Sequence, residues 1–475
     1  MLIYLIGSII DRLATDIPPN GFSARNIDLM ALLQTSRTIH AATLSTLYGH
    51  ITIPHSRIFR KFLTHIAAYP ALGTIVRRID FSHFNPTGAG MTARQRFETP
   101  YLLPATLLQC LNLTPNLQEF LAQEHIDDEL SVEVLNALFE MPKMKALDFC
   151  ACSSTGFKNA FEAALAGPLP LALPITRLSL HECTAVSSSA YTSLLPRLTQ
   201  LTHLDVAHTR ITDEALFAIP QTAKLTHLNI SRCAGLTGQG VVKFLTTHPA
   251  VKELVYLNLA CDVKSHELLT AEDITALLPQ LPTTLRSLNL KGSKMDLSHI
   301  NLVIPLTKHV EELGLGRHLK LKDLTRLFLP SAPLDTPAED LEEAEIQAQL
   351  EWTPHSLRYI DVSDLNSAEL DLSTLFASSC PLLTSTSHPL EVLELSTEVY
   401  KKLENSPSSL KRVGWCVKEA GRRGWLVRVK TPGNGEKVDD GSRSWKWGAQ
   451  FWGGRKIPVA RAEVGGMYGH YMFKR

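Results

Sequence analysis

Two neighbouring segments of the chain repeat the same pattern at an interval of 24 residues. The first reads LTHLDVAHTRITDEAL (201–216) and the second reads LTHLNISRCAGLTGQGV (225–241). Both have Leu at the first and fourth positions and an aliphatic residue, Val206 or Ile230, at the sixth. A unit this short cannot bury its own apolar face, so the pattern predicts an array of stacked repeats rather than a compact domain.

Further copies of Leu-x-x-Leu-x-Leu extend this array in both directions, with weaker copies reaching from Val76 to Trp415. The spacing between successive fourth positions runs from 24 to 31 residues, which resembles the leucine-rich-repeat period. The fourth and sixth side chains alternate with polar ones on a short strand, and an amphipathic segment such as 272–278 follows. The resemblance implies an α/β leucine-rich-repeat solenoid, a horseshoe with parallel strands inside and helices outside. The best fourth positions are Leu147, Leu178, Leu204, Leu228, Leu257, Leu288 and Leu313.

The ninth position of four consecutive repeats holds Cys152, Cys183, Thr209 and Cys233. This resembles the cysteine-containing subtype of the repeat. A metal site is the alternative, but no His or Cys stands at ligand spacing beside these residues, so we expect buried thiols, no metal and no cofactor. The eight cysteines show no regular pairing, which is typical of a reducing compartment.

The N-terminal region follows a different pattern. Its segment DLMALLQTSRTIHAATLSTLY (28–48) resembles the back half of an F-box, and its connection to the first repeat is similar to fungal F-box/leucine-rich-repeat proteins. The chain begins inside the first F-box helix, without the Leu-Pro pair that usually precedes it, so we expect an incomplete or decayed module. A plain helical cap over the first repeat is the alternative. The resemblance implies that a helical apolar stripe binds a Skp-type adaptor, and the stripe consists of Leu5, Ile9, Leu29, Leu32 and Leu33.

Composition shifts divide the chain into three predicted regions. Residues 1–54 form the F-box-like module and 55–410 the repeats, with an acidic, helical insertion at about 331–352. Residues 411–475 hold 15 Lys and Arg against 5 Asp and Glu, together with five of the six tryptophans. We expect this basic region to form a β-rich cap over the last repeat. Single-stranded nucleic acid stacked on its aromatic rings is the less favoured alternative.

The outward strand positions define the predicted substrate surface. The third and fifth positions of four consecutive repeats combine Arg, His and Tyr with Asp and Asn, which suits a protein segment better than phosphate. Adjacent strands are about 5 Å apart, so we expect these side chains to lie side by side. They are Arg177, His203, Asp205, His227, Asn229, Tyr256 and Asn258.

Several functional classes receive no support from the sequence. It contains no H-E-x-x-H or G-x-S-x-G motif, so we expect no enzyme activity and no catalytic residues. The apolar opening MLIYLIGSII is too short to span a bilayer and lacks a small-residue cleavage site, which favours cytoplasm or nucleus and no membrane association.

The resemblance therefore implies a substrate-recognition subunit of a Skp–cullin–F-box ubiquitin ligase, which binds a protein substrate of unknown identity on the concave repeat face. The alternative function is a repeat scaffold without a ligase, in which the N-terminal helices only cap the solenoid. A nucleic-acid partner is not expected.

Overall fold

The computed structural model describes residues 5–10, 29–82, 84, 101–261, 266–332, 336–365, 372–377, 380–404, 407–420 and 423–429. These residues fall into two compact units. The first consists of the described parts of Met1–Arg210 with Ala218–Ala223, and the second of Ile211–Phe217 with the described residues after Lys224.

The first unit carries six parallel strands whose spatial order follows the chain. They are β1 (His50–Thr52), β2 (Arg78–Asp80), β3 (Glu119–Gln123), β4 (Ala146–Cys150), β5 (Arg177–Ser179) and β6 (His203–Asp205). The helices between them are Ser56–Ala68, Pro70–Gly73, Pro104–Leu113, Val132–Glu140, Thr155–Ala166 and Ser188–Leu194, with single 3₁₀ turns at Asp127–Glu129 and Leu195–Arg197. The sheet thus begins at His50, inside the range predicted for the N-terminal module.

Among the described residues, three helical segments precede this sheet. They span 5–10, 29–32 and Arg37–Gly49. The last of these runs directly into β1, so the N-terminal helices and the first repeat are joined without a loop.

The second unit continues the same strand–helix alternation. Strands β7 (His227–Asn229), β8 (Tyr256–Asn258), β9 (Ser287–Asn289), β10 (Glu312–Gly314), β11 (Tyr359–Asp361) and β12 (Val392–Glu394) are parallel to their neighbours. The helical segments are Asp213–Phe217, Gly238–Thr247, Pro249–Val251, Ala271–Leu277, Leu278–Gln280, Leu297–Val303, Leu306–Lys308, Leu321–Leu327, Leu341–Glu351, Leu372–Leu375, Pro381–Leu383, Ser385–Ser387, Thr397–Glu404 and Pro407–Arg412.

An antiparallel hairpin ends the described sheet of the second unit. Its strands are β13 (Trp415–Ala420) and β14 (Arg423–Arg428), and β14 pairs antiparallel with β12. Because β14 continues the ladder from β12, the backbone groups at that edge of the last repeat are paired. No helix among the described residues has both the length and the apolar character needed to cross a bilayer.

The predicted leucine ladder forms the core of each unit. Leu178 and Leu204 are register partners in the first unit, and Leu228, Leu257 and Leu288 follow one another in the second. All five side chains are fully buried. The predicted α/β leucine-rich-repeat fold is therefore confirmed, with the core set by the fourth and sixth positions of each repeat.

The residues at the ninth position of the repeats are also buried. The sequence predicts this for the three cysteines among them. Cys183 Sγ lies 3.0 Å from the Phe149 carbonyl oxygen, and Thr209 Oγ1 donates to the Val206 carbonyl at 2.6 Å. Burial raises the pKa of the Cys152 and Cys183 thiols well above the ordinary value, so both stay protonated. The thiols act as small apolar side chains that also satisfy a backbone carbonyl.

The acidic segment holds the helix Leu341–Glu351, and none of its residues is buried. Its end is anchored through Lys308, whose Nζ lies 4.2 Å from the centre of the Trp352 ring. The helix is thus a solvated element.

Candidate functional site

The N-terminal helices build a small apolar core of their own. Ile10, Leu29 and Ala42 are buried together, each from a different helical segment. The Ser36 hydroxyl caps the helix Arg37–Gly49 by accepting from the Ile39 N–H at 3.3 Å. Four half-buried apolar side chains pack against this core, namely Ile6, Leu32, Ile39 and Leu47.

The same helices expose large apolar side chains. Leu5 is 56% exposed, Ile9 54% and Met30 57%, although each stands on a helix with a buried face. Leu5 and Ile9 lie one turn apart on the same helix, and neighbouring exposed apolar side chains are typical of a surface that another protein covers.

The five residues of the predicted adaptor stripe differ in how far they are exposed to solvent. Leu5 and Ile9 are exposed, and Leu32 and Leu33 are half-buried. Leu29 is only 3% exposed, so the expectation that it forms part of the surface needs correction: its side chain fills the internal core instead. Met30, which is not among the predicted residues, lies on the outside instead. Successive residues of an α-helix lie about 100° apart around its axis, so Met30 points to a different side of the helix from Leu29. This geometry could have identified Met30 from the sequence. The role of the stripe in adaptor binding stays a prediction.

Charged side chains form a network along the start of the strands in the first unit. Arg177 and His203 are register partners, as the sequence predicts. Arg177 also forms an ion pair with Glu119, two strands away, across the small side chain of Ala146. Glu119 in turn lies 3.9 Å from Arg78. The ion pair with Glu119 therefore holds the Arg177 guanidinium in place, and part of the side chain stays exposed to solvent.

His227 and Tyr256 are in contact in the second unit. They are register partners, and their rings stack with centres 5.9 Å apart and planes 17° apart. Burial lowers the pKa of His227 to about 4, so its imidazole is neutral at physiological pH. Tyr256 is 2% exposed, because its ring lies in this stack and against the sheet.

The fifth-position Asp and Asn side chains turn back onto their own backbone. Asp205 Oδ1 accepts from the Ala207 N–H at 3.1 Å, and Asn258 Oδ1 accepts from the Ala260 N–H at 3.0 Å. Asn229 Oδ1 accepts from both the N–H and the hydroxyl of Ser231, at 3.2 and 2.8 Å. These contacts end each strand in an Asx turn.

The expected exposure of the substrate surface is accordingly wrong for Asp205, Asn229 and Tyr256, all of which are buried. The physical reason is that the Asp and Asn oxygens satisfy backbone N–H groups where the strand ends, and Tyr256 packs under His227. Arg177, His203, His227 and Asn258 keep an accessible part. Whether any of the seven binds a substrate is not tested by these contacts and stays a prediction.

The two tryptophans of the C-terminal hairpin that the structure describes are used in packing. Trp415 Nε1 donates to the Leu383 carbonyl at 3.0 Å, and Trp425 Nε1 donates to the Glu394 carboxylate at 3.2 Å. Both rings are buried, and the Arg428 guanidinium lies 4.5 Å from the centre of the Trp415 ring. These rings therefore cannot stack on bases, whereas Trp445, Trp447 and Trp452 lie outside the described residues.

In the described ranges, no three or more His, Cys, Asp or Glu side chains are grouped as a metal ion would require. The surfaces described above offer apolar contact, hydrogen bonding and charge.

The Leucine Rich repeat family model matches residues 198–219 and 223–245, which are the two segments with the clearest repeat. The chain therefore contains leucine-rich repeats. It is also 28% identical over 237 residues to F-box protein YLR352W of Saccharomyces cerevisiae, a match covering 46% of this chain and 29% of that protein. The resemblance to a fungal F-box/leucine-rich-repeat protein is thereby confirmed, while the chain's match spans less than a third of that relative.

A solved structure is similar over a large part of this leucine-rich-repeat chain. It is the crystal structure of the Rad7 and Elc1 complex in yeast, with 13% identity and a TM-score of 0.42. The likeness covers 76% of this chain and 82% of that one.

Proposed function

We propose that this chain is the substrate-recognition subunit of a Skp–cullin–F-box-type ubiquitin ligase. Its N-terminal helices dock on a Skp-type adaptor, and its repeats hold a protein substrate. The chemistry of ubiquitin transfer belongs to the partner enzymes, so the chain itself acts by binding in the cytoplasm or the nucleus.

The exposed apolar side chains Leu5, Ile9 and Met30 carry this proposal. The helices that carry them already pack around a buried core of other side chains. These three side chains are therefore not needed to hold the helices together. Covering each would remove on the order of 100 Å² of apolar surface from water, at roughly 25 cal/mol per Å². The relative named as an F-box protein supports the same assignment.

A substrate-contacting surface is proposed within each unit, formed by the accessible parts of Arg177 and His203 in the first unit and of His227 and Asn258 in the second. These side chains offer a cation, two imidazoles and an amide for hydrogen bonds to a polar peptide segment. Arg is enriched among the residues that dominate binding energies in protein interfaces.

Co-purification with a recombinant fungal Skp-type adaptor tests the proposed function. The wild-type chain should retain the adaptor, and the double variant Leu5→Asp, Ile9→Asp should lose it, because two buried carboxylates would oppose the contact. The matched control is Leu171→Asp, Leu350→Asp, which changes leucines that are 90% and 77% exposed elsewhere. This control should bind like the wild type, and circular dichroism should show that both variants remain folded.

If both double variants bind the adaptor equally, or the wild type does not bind it, the N-terminal helices act as a cap. The chain would then be a repeat scaffold without a ligase.

A further inference from the structure

The helix Ser56–Ala68 presents a basic face to solvent beside the N-terminal helices. Arg57, Arg60, Lys61 and His65 are exposed at the spacing of one helix face. The opposite face packs into the first repeat and consists of Phe59, Phe62, Leu63 and Ile66. Arg60, Lys61 and His65 also line a shallow depression of about 380 Å³.

The described segment that carries this face contains basic residues but no acidic ones. Residues 29–79, all of which the structure describes, contain six Lys and Arg and no Asp or Glu. The next carboxylate along the chain, Asp80, is buried and already held by Arg78 at 2.7 Å. The pKa of His55 is lowered by burial and, in addition, by the positive charges of Arg57 and Lys61. Within residues 29–79, the exposed cations Arg57, Arg60 and Lys61 are therefore not balanced by a carboxylate of the same segment.

Aromatic contacts connect the basic face to the N-terminal helices. The Tyr48 and His65 rings stack with centres 6.2 Å apart, and His65 contacts Tyr69 at 5.1 Å. Tyr48 stands on the helix Arg37–Gly49, whose Ala42 packs with Ile10 and Leu29. Tyr69 is 59% exposed, so it adds an aromatic side chain to the same surface.

We propose that the basic face of the helix Ser56–Ala68 binds an acidic segment of the adaptor. This is the same adaptor that contacts the N-terminal helices. This inference rests on the proposed function and adds the chemistry of the partner: Asp and Glu side chains placed beside the apolar contact. Clustered cations repel one another, and carboxylates across the interface neutralise them while steering the encounter.

A protein partner fits this surface better than a nucleic acid does. Tight phosphate binding uses many cations along a backbone, and a protein with six to ten phosphate contacts loses about 10³–10⁵ in affinity over a modest rise in salt. Here three full charges lie within five residues, little more than one helical turn, and Tyr69 lies at the edge of the patch. Such an arrangement is typical of the charged rim around an apolar protein contact.

The test measures association and dissociation rates between the full chain and the recombinant Skp-type adaptor. The variant is Arg57→Glu, Arg60→Glu, Lys61→Glu, and its control is Lys224→Glu, Lys252→Glu, Lys402→Glu. Both sets replace three exposed cations by the same residue. At about 50 mM salt the variant should associate about tenfold or more slowly while dissociating at nearly the wild-type rate, because rim charges act on the encounter. The difference should shrink at about 500 mM salt, and the control should match the wild type.

The outcomes separate this inference from the proposed function. If Leu5→Asp, Ile9→Asp abolishes binding and the basic-face variant associates within about twofold of the wild type, the adaptor docks but the acidic contact is refuted. If neither variant changes binding to the adaptor, both proposals fail at this surface. A basic-face variant that loses binding to a DNA oligonucleotide instead would assign the face to nucleic acid. Equal melting temperatures of the variant and the wild type confirm that only the surface has changed.

Discussion

The carboxylate of Asp213 holds the start of the next repeat's helix through Thr237. It accepts from the Thr237 hydroxyl at 2.6 Å and from the Thr237 N–H at 3.1 Å. Thr237 itself caps the helix Gly238–Thr247 by accepting from the Gly240 N–H at 3.0 Å. The first unit has a similar contact, where Asp127 accepts from the N–H groups of Ser153 and Ser154 at 3.1 and 2.8 Å. A carboxylate at one helix start thus orders the helix start of the following repeat.

Replacing Asp213 by Ala should lower the free energy of unfolding by about 1–2 kcal/mol, since it removes two hydrogen bonds and frees the capping hydroxyl. The neighbouring Glu214 is exposed, so Glu214→Ala should change stability by less than about 0.5 kcal/mol. Urea unfolding of the two variants measures the difference. Equal effects would mean that Asp213 contributes only as a surface charge.

The repeat architecture could be predicted because one physical demand recurs in every unit. The fourth-position leucines must be buried, so they stand out at a regular interval, and Leu178 and Leu204 are register partners as expected. The inter-repeat contact of Asp213 could not be predicted. This contact depends on how one repeat stacks on the next, which the pattern of residues alone does not show.

Truncating Leu228 to Ala should lower the free energy of unfolding by roughly 2–5 kcal/mol, because the side chain is fully buried beside its register partner Leu257. Leu350→Ala, on the solvated acidic helix, should cost less than about 0.5 kcal/mol. Thermal unfolding followed by circular dichroism compares the two. A small loss at Leu228 would show that the ladder can collapse around the cavity.

Gly292 should resist substitution for two reasons. Its φ is +87°, and a Cβ there would lie 2.3 Å from the Cys261 carbonyl oxygen. Gly292→Ala should therefore lower the free energy of unfolding by about 2 kcal/mol or more through strain and overpacking. A Cβ at Gly49 meets nothing within 4 Å, so Gly49→Ala is the matched control and should be close to neutral. Denaturant midpoints decide between them.

Asp205 and His203 should respond differently although they share strand β6. Asp205→Ala removes a buried acceptor and should lower the free energy of unfolding by about 1–3 kcal/mol. His203→Ala changes a partly exposed side chain and should leave stability almost unchanged while weakening substrate binding. Asp205→Asn keeps the acceptor and should restore most of the stability. If His203→Ala proves the more destabilising change, the assignment of structural and binding roles is reversed.

The limits of prediction at the substrate surface have a physical cause. The alternation of a strand shows that Asp205 and Asn229 point away from the leucine core, but not that they bond the backbone two residues later. A signal was available, because Asp, Asn and Ser recur at the fifth position, whereas the third position varies from Arg177 to Tyr256. Uniform short polar residues indicate a repeated turn, and varied residues are more typical of a binding surface.

The neutral state of His227 should appear in the pH dependence of stability. Its folded pKa of about 4 lies below the ordinary value of 6.5, because burial disfavours the charged ring. Between these values the unfolded chain binds a proton that the folded chain does not, so the free energy of unfolding falls as pH falls from 6.5 towards 4. The contribution of this one group is at most about 3 kcal/mol.

His227→Gln should therefore flatten the pH profile of unfolding relative to the wild type within this window and leave it parallel above it. Removing the covering ring in Tyr256→Ala should raise the pKa of His227 towards its ordinary value, which an NMR titration of the imidazole measures directly. Tyr256→Ala should also destabilise the fold by about 3–5 kcal/mol, since the ring is buried. An imidazole that titrates near neutral pH in the folded wild type would show that the stack with Tyr256 leaves His227 open to water.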